Sequence, residues 1–253
     1  MCIIVAKKKG IDLPKKDILE NCYLNNSDGA GFMYNDNEKV VIKKGFFEFE
    51  KFYSELMKID DIKNKDVVLH FRIATSGGIN KEKCHPFALS DSVKVLNTTY
   101  LYARYGVAHN GVLSDYVKNS DNLSDTQNFI KEFLTPIYQL NKNFTYNKGA
   151  IKLISSETKG SRLAILNKNN MKLIGDFIED DNGVYYSNTS YKSAYYYSYP
   201  KYFSYYNNTA YKTEKLELKK GDILYYKNDT NDFFLVDEDD KYYLLNSNIY
   251  EKK

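Results

Sequence analysis

A chain of 253 residues with a net charge of +3 is long enough to bury one substantial core plus a small appendage. Three cysteines argue against a disulfide framework, and no segment approaches the ~18 apolar residues of a membrane span. The first apolar run ends at Lys7-Lys8-Lys9, too early for a signal sequence, and the charge is too slight to imply nucleic acid, so a cytoplasmic enzyme is expected.

Met1-Cys2 stands directly before Ile3-Ile4-Val5-Ala6. Removal of one residue leaves Cys2 at the N-terminus of an apolar strand, with its free α-amine beside the thiol. That amine, with a reference pKa of ~7.7–8.0, can serve as base to its own thiol, one form of activated nucleophile. Alternatively Cys2 is a small hydrophobe in a first strand.

Val67-Val68-Leu69 reads as a buried strand. It leads into His70-Phe71-Arg72-Ile73-Ala74-Thr75-Ser76-Gly77-Gly78, then Cys84-His85-Pro86-Phe87. Arg72 suits a bidentate grip on a carboxylate; by itself it equally suits a surface ion pair. Gly106-Val107-Ala108-His109-Asn110-Gly111 reads as a strand entering a hairpin turn. It could instead aim the Asn110 amide and the Gly111 N–H at one developing oxyanion. In Leu123-Ser124-Asp125-Thr126-Gln127, Ser124 or Asp125 fits a helix N-cap, or Asp125 faces a ligand ammonium. A papain-like pair at Cys84-His85 is disfavoured because neighbours on an extended chain point to opposite faces. Neither Cys-x-x-Cys nor His-x-x-x-His spacing occurs, so no metal and no cofactor are expected. His70 and His109 read as strand-end histidines satisfied by backbone.

Taken in order, Cys2, Arg72-x-Ala74-Thr75-x-Gly77, His85-Pro86, His109-Asn110-Gly111 and Ser124-Asp125-Thr126-Gln127 resemble the class II glutamine amidotransferases. Asn26-Ser27-Asp28-Gly29-Ala30-Gly31-Phe32 is similar to that family's glycine-bearing second strand. The resemblance implies an α+β fold, the four-layer α-β-β-α sandwich of N-terminal-nucleophile hydrolases. It implies Cys2 as nucleophile, Asn110 with the Gly111 N–H as oxyanion hole, and Arg72 and Asp125 as clamps for the α-carboxylate and α-ammonium of glutamine. Thr75 and His85 would line the glutamine pocket. The chain departs from the family pattern at Ile3, usually glycine, and at Ile73, frequently aromatic.

Residues 150–154, 162–166 and 171–178 read as further strands, and Gly183 to Tyr191 is similar to the closing segment of small stand-alone members of that family, so the amidotransferase-like domain is expected over 1–188. Composition then shifts. Tyr185 to Thr213 holds eleven tyrosines, three lysines and no acidic residue, which reads as a linker or cover over 189–213 or as a base-stacking surface. Four short β segments from Leu216 to Leu245 suggest a small β module over 214–253. No synthetase domain fits after residue 188. The chain is therefore expected to hydrolyse glutamine and release ammonia to a separate synthetase or acceptor enzyme, with a free-standing hydrolase of another small amide, or a degenerate binding scaffold using the Tyr-rich tail, as alternatives.

Overall fold

The computed structural model describes residues 2–73, 79–118 and 122–192, and further on the strand residues 205–207, 210–212, 223–227, 232–236 and 242–245. Two compact units divide between Ala194 and Tyr195.

In the first unit, β1 (Ile3–Lys7), β2 (Ala30–Asp36), β3 (Lys39–Phe46), β4 (Val67–Phe71), β6 (Tyr100–Ala103), β10 (Ile178–Glu179) and β11 (Val184–Tyr186) form a seven-stranded sheet, ordered β10-β11-β1-β4-β2-β3-β6. A four-stranded sheet takes β5 (Phe87–Ala88), β7 (Tyr105–Asn110), β8 (Arg162–Asn167) and β9 (Met171–Ile174), ordered β5-β7-β8-β9. The pairings in both sheets are antiparallel. The helices are α1 (Lys16–Leu24), α2 (Phe49–Leu56), α3 (Val93–Asn97), α4 (Asp125–Phe129), α5 (Thr135–Leu140) and α6 (Lys148–Glu157). A wider turn at Ile130–Leu134 joins α4 to α5.

Alternation along each strand sorts side chains to its two faces. Ile3 and Val5 of β1 join Leu69 and Phe71 of β4 and Phe32 of β2 in a buried cluster with Leu19 and Cys22 of α1 and Phe52 and Leu56 of α2. Phe52 and Phe71 meet edge to face with ring centres 5.0 Å apart. Ile4 and Ala6, from the opposite face of β1, pack with Met33, Val40, Ile42 and Val68 and with Ala108, Ala164 and Leu166 of the four-stranded sheet. A third cluster puts Val107, Leu163 and Ile165 against Phe129, Ile130, Leu134 and Ile154. The unbroken apolar run Ile3 to Ala6 thus reflects burial on both faces of β1.

Three local expectations change. Residues 150–154 are helical, within α6, because the Asn147 side chain accepts from Ala150 N at 2.9 Å and supplies an N-cap that an apolar run does not reveal. The segment 171–178 is two strands in different sheets, broken at Gly175. There φ is +91° and a Cβ would lie 2.3 Å from the Ser161 carbonyl oxygen. Asn110-Gly111 closes no hairpin: β7 pairs with β5 and β8, and the chain continues into a short helical turn at Ser114–Tyr116.

The second unit holds a five-stranded sheet of β12 (Tyr205–Asn207), β13 (Ala210–Lys212), β14 (Ile223–Lys227), β15 (Asp232–Val236) and β16 (Tyr242–Leu245), ordered β13-β12-β16-β15-β14. The last three strands form the expected meander. β12 and β13 fall inside the segment read as a linker, and β12 reaches β16 at Tyr205 opposite Leu245. The expected strand Leu216 to Leu218 lies outside the described residues.

Candidate active site

Ile3 pairs with Phe71 across β1 and β4, so the antiparallel register carries Cys2, one residue earlier, to the level of Arg72. Cys2 is partly exposed. Its Sγ accepts from Ile73 N at 3.3 Å and lies 3.4 Å from the Ile73 carbonyl oxygen. Burial pushes the thiol above its ordinary pKa, while the Ile73 N–H and, more weakly, the Arg72 charge pull it back. The Cys2 carbonyl accepts from Asn188 Nδ2 at 2.7 Å.

Arg72 is 5% exposed. Its backbone is fixed on both sides, donating to Gly29 O at 2.8 Å and accepting from Asp28 N at 2.9 Å. This gives the glycine-bearing segment its purpose. Gly29 has φ +135°, and a Cβ there would meet Cys84 Sγ at 2.5 Å. At Gly31 a Cβ would lie 2.2 Å from the His85 carbonyl oxygen. Only glycine lets the 84–87 segment approach β2 so closely.

His85 is buried, stacked on His70 with ring centres 4.3 Å apart and edge-on to Phe87 at 4.6 Å. Burial, then the nearby His70, His109, Lys44 and Arg72, hold it well below the ordinary imidazole range, so it is neutral. Both of its ring nitrogens are buried without a hydrogen-bond partner among the described residues. His70 Nε2 sits 3.0 Å from the His109 carbonyl oxygen, and burial lowers it to about 3. His109 pairs through Nδ1 with Thr126 Oγ1 at 2.9 Å and is lowered to about 4 by burial, with Asp125 opposing. A hydroxyl thus serves His109 where a backbone partner was expected.

Asn110, at the end of β7, is 4% exposed and donates from Nδ2 to Ser187 Oγ at 2.8 Å. Gly111 has φ +152°, and a Cβ would lie 2.1 Å from Ser161 Oγ. Asp125 opens α4, with Ser124 as its N-cap: Ser124 Oγ accepts from Gln127 N at 3.2 Å and Ser124 N donates to Gln127 Oε1 at 2.9 Å, a capping box. The Asp125 carboxylate accepts from Leu113 N at 2.9 Å and Thr126 N at 2.7 Å. Thr75 lies outside the described residues.

Cys2 and Arg72 therefore meet through β1 and β4, whereas the Asn110 side chain is tied to β1 through Ser187, whose Oγ also accepts from Ile4 N at 2.8 Å. Asp125 stands with His109 and Thr126. Sequence reasoning missed Ser187, Asn188 and Lys44. Lys44 is buried in β3, donates from Nζ to Glu82 O and Leu96 O at 2.8 Å each, and lies 3.9 Å from the Phe87 ring centre. Burial lowers it to about 7. A serine after a short strand and a lysine among alternating residues carry no local signal of such partners.

Among the described residues no helix is long and apolar enough to cross a membrane. A search of curated protein sequences finds no match. Two solved structures are similar at low identity. One is an allosteric regulatory enzyme of purine biosynthesis, at 16% identity and a TM-score of 0.44. The other is a glutamine phosphoribosylpyrophosphate (PRPP) amidotransferase from B. subtilis complexed with ADP and GMP, at 15% identity and a TM-score of 0.43. Each likeness covers 98% of this chain and 50% of the other, so the chain spans half the length of either. Residues 21–130 match the family model for glutamine amidotransferases class-II. That span includes Arg72, His85, Asn110, Gly111 and Asp125. It runs from within α1 to the residue after α4, and over it this chain is similar to the class-II glutamine amidotransferases.

Proposed function

We propose that the chain hydrolyses the side-chain amide of glutamine with Cys2 as an N-terminal nucleophile. Once Met1 is removed, the α-amine of Cys2 takes the thiol proton and the sulfur attacks the amide carbon. The Asn110 amide and the Gly111 N–H hold the oxyanion. Its collapse breaks the C–N bond, the protonated amine returns its proton to the leaving nitrogen, and ammonia departs. Water, deprotonated by the same amine, then cleaves the thioester to glutamate and the free thiol. Arg72 grips the α-carboxylate, Asp125 the α-ammonium, and Thr75 and His85 line the pocket. A neutral His85 places no second positive charge beside the ammonium.

The observation that carries this reading is the Cys2 thiol at the Ile73 N–H, level with Arg72. An arginine there raises the share of thiolate that burial suppresses. The three buried clusters support a four-layer α-β-β-α sandwich, with the catalytic domain over 1–188 and ammonia passing to a separate acceptor enzyme in the cytoplasm.

The test is glutamine hydrolysis by protein whose N-terminus has been mapped by intact mass. Cys2→Ala should abolish turnover and Cys84→Ala should leave it nearly unchanged. Asn110→Ala should cut kcat by about 10²–10³, and Arg72→Ala should act chiefly on KM. Full activity in protein that retains Met1 would refute the mechanism. Turnover of another small amide with glutamine untouched would favour a free-standing hydrolase instead.

A further inference from the structure

Ser187 follows β11 and is 1% exposed. Its Oγ accepts from Ile4 N and from Asn110 Nδ2, each at 2.8 Å, and its own N–H donates to the Ile4 carbonyl at 3.0 Å. The next residue, Asn188, holds the Cys2 carbonyl at 2.7 Å and is itself fixed by Ser190 N, which donates to Asn188 Oδ1 at 2.9 Å. A hydroxyl oxygen has two acceptor positions, and both are used here. The Asn110 Nδ2 carries two hydrogens; engaging one on Ser187 sets the amide plane and leaves the other as a directed donor.

β1 lies in the seven-stranded sheet and β7 in the four-stranded one. Ser187 therefore joins the strand that carries Cys2 to the side chain of Asn110 across two sheets. Asn110 has rotatable side-chain bonds, and an oxyanion donor acts only if it is aimed before the charge develops. Ser187 removes that freedom and references the amide to the main chain two residues from the nucleophile.

We propose that Ser187 is a positioning residue that aims the Asn110 amide relative to Cys2; the inference rests on the reading of Cys2 as nucleophile and Asn110 as oxyanion donor. Its loss costs less than loss of the donor itself, because a free amide still visits the productive rotation. Small misplacements cost up to about 10² in rate, so Ser187→Ala should lower kcat by roughly 10–10² with KM for glutamine unchanged.

A double-mutant cycle tests it, with kcat, KM and thermal unfolding measured for wild type, Ser187→Ala, Asn110→Ala and the double variant. In the Asn110→Ala background, Ser187→Ala should change kcat by less than about twofold, because the group it aims is gone. Ser187→Thr keeps the hydroxyl and should restore most of the lost kcat. If Ser187→Ala fails to fold, Ser187→Cys, whose sulfur accepts hydrogen bonds weakly, replaces it in the cycle and should give an intermediate kcat. Equal losses of kcat in both backgrounds, or an unchanged kcat in Ser187→Ala, would overturn the proposal while leaving the glutaminase reading intact. Wild-type protein with a free Cys2 terminus that turns over no glutamine would overturn both, and that result appears before any Ser187 variant is made.

Discussion

Gly111→Ala probes the site through a tightly packed backbone position. The new Cβ would stand 2.1 Å from Ser161 Oγ, 2.7 Å from Ser161 Cβ and 3.1 Å from His109 Nε2. Ser161 is 5% exposed and has little room to retreat. Overpacking of this kind costs about 1–3 kcal/mol. The φ of +152° adds backbone strain of ~1–3 kcal/mol. Together they amount to roughly 2–6 kcal/mol, and at ~2–4 °C per kcal/mol for a domain of this size the melting temperature should fall by about 4–24 °C. Thermal unfolding followed by circular dichroism measures this. Gly160→Ala is the control, since φ is +85° there and nothing lies within 4 Å of a Cβ, so it bears strain without overlap. Adding Ser161→Gly to Gly111→Ala removes the two shortest contacts and should recover the steric share alone. If Gly111→Ala melts no lower than Gly160→Ala, the close packing of Ser161 on Gly111 is refuted.

Two further predictions concern the surroundings of the site. His70 and His109 are lowered to about 3 and about 4, and His85 falls well below its usual range, so the unfolded chain takes up protons that the folded one refuses. Stability should be greatest above pH ~6.5 and fall on acidification toward pH ~4, by at most about 1.4 kcal/mol per pH unit for each histidine; an unchanged denaturation midpoint between pH 7.5 and pH 5 would contradict this. Gly31→Ala forces a Cβ to within 2.2 Å of the His85 carbonyl oxygen and 2.7 Å of Lys44 Cβ, and should destabilise by several kcal/mol, on the order of the largest core substitutions. Gly149→Ala, in α6 and 3.3 Å from the Asn147 side-chain oxygen, should by contrast be neutral or stabilising by up to ~1 kcal/mol; equal melting temperatures for the two variants would show that β2 does not need its glycine.

The chain order of the candidate site residues was legible in the sequence. Arg72, His85, Asn110, Gly111 and Asp125 fall inside one family span, and their residue types suit the binding of a zwitterion and an oxyanion. The sequence also determined β1 and β4, since strands buried on both faces show as unbroken apolar runs such as Ile3 to Ala6. A short apolar run says less: residues 150–154 have a composition that either a strand or a helix accepts, and the Asn147 cap decided for α6. Tertiary structure alone decided that the chain changes sheets at Gly175, because the close contact that excludes a Cβ there comes from Ser161, fourteen residues away. It alone set Cys2 at the level of Arg72, since strand register is a relation between segments some seventy residues apart. Ser187 was hidden for the same reason. A serine announces a hydroxyl, but its two donors, Ile4 and Asn110, come from strands of different sheets that meet only when the whole unit has folded.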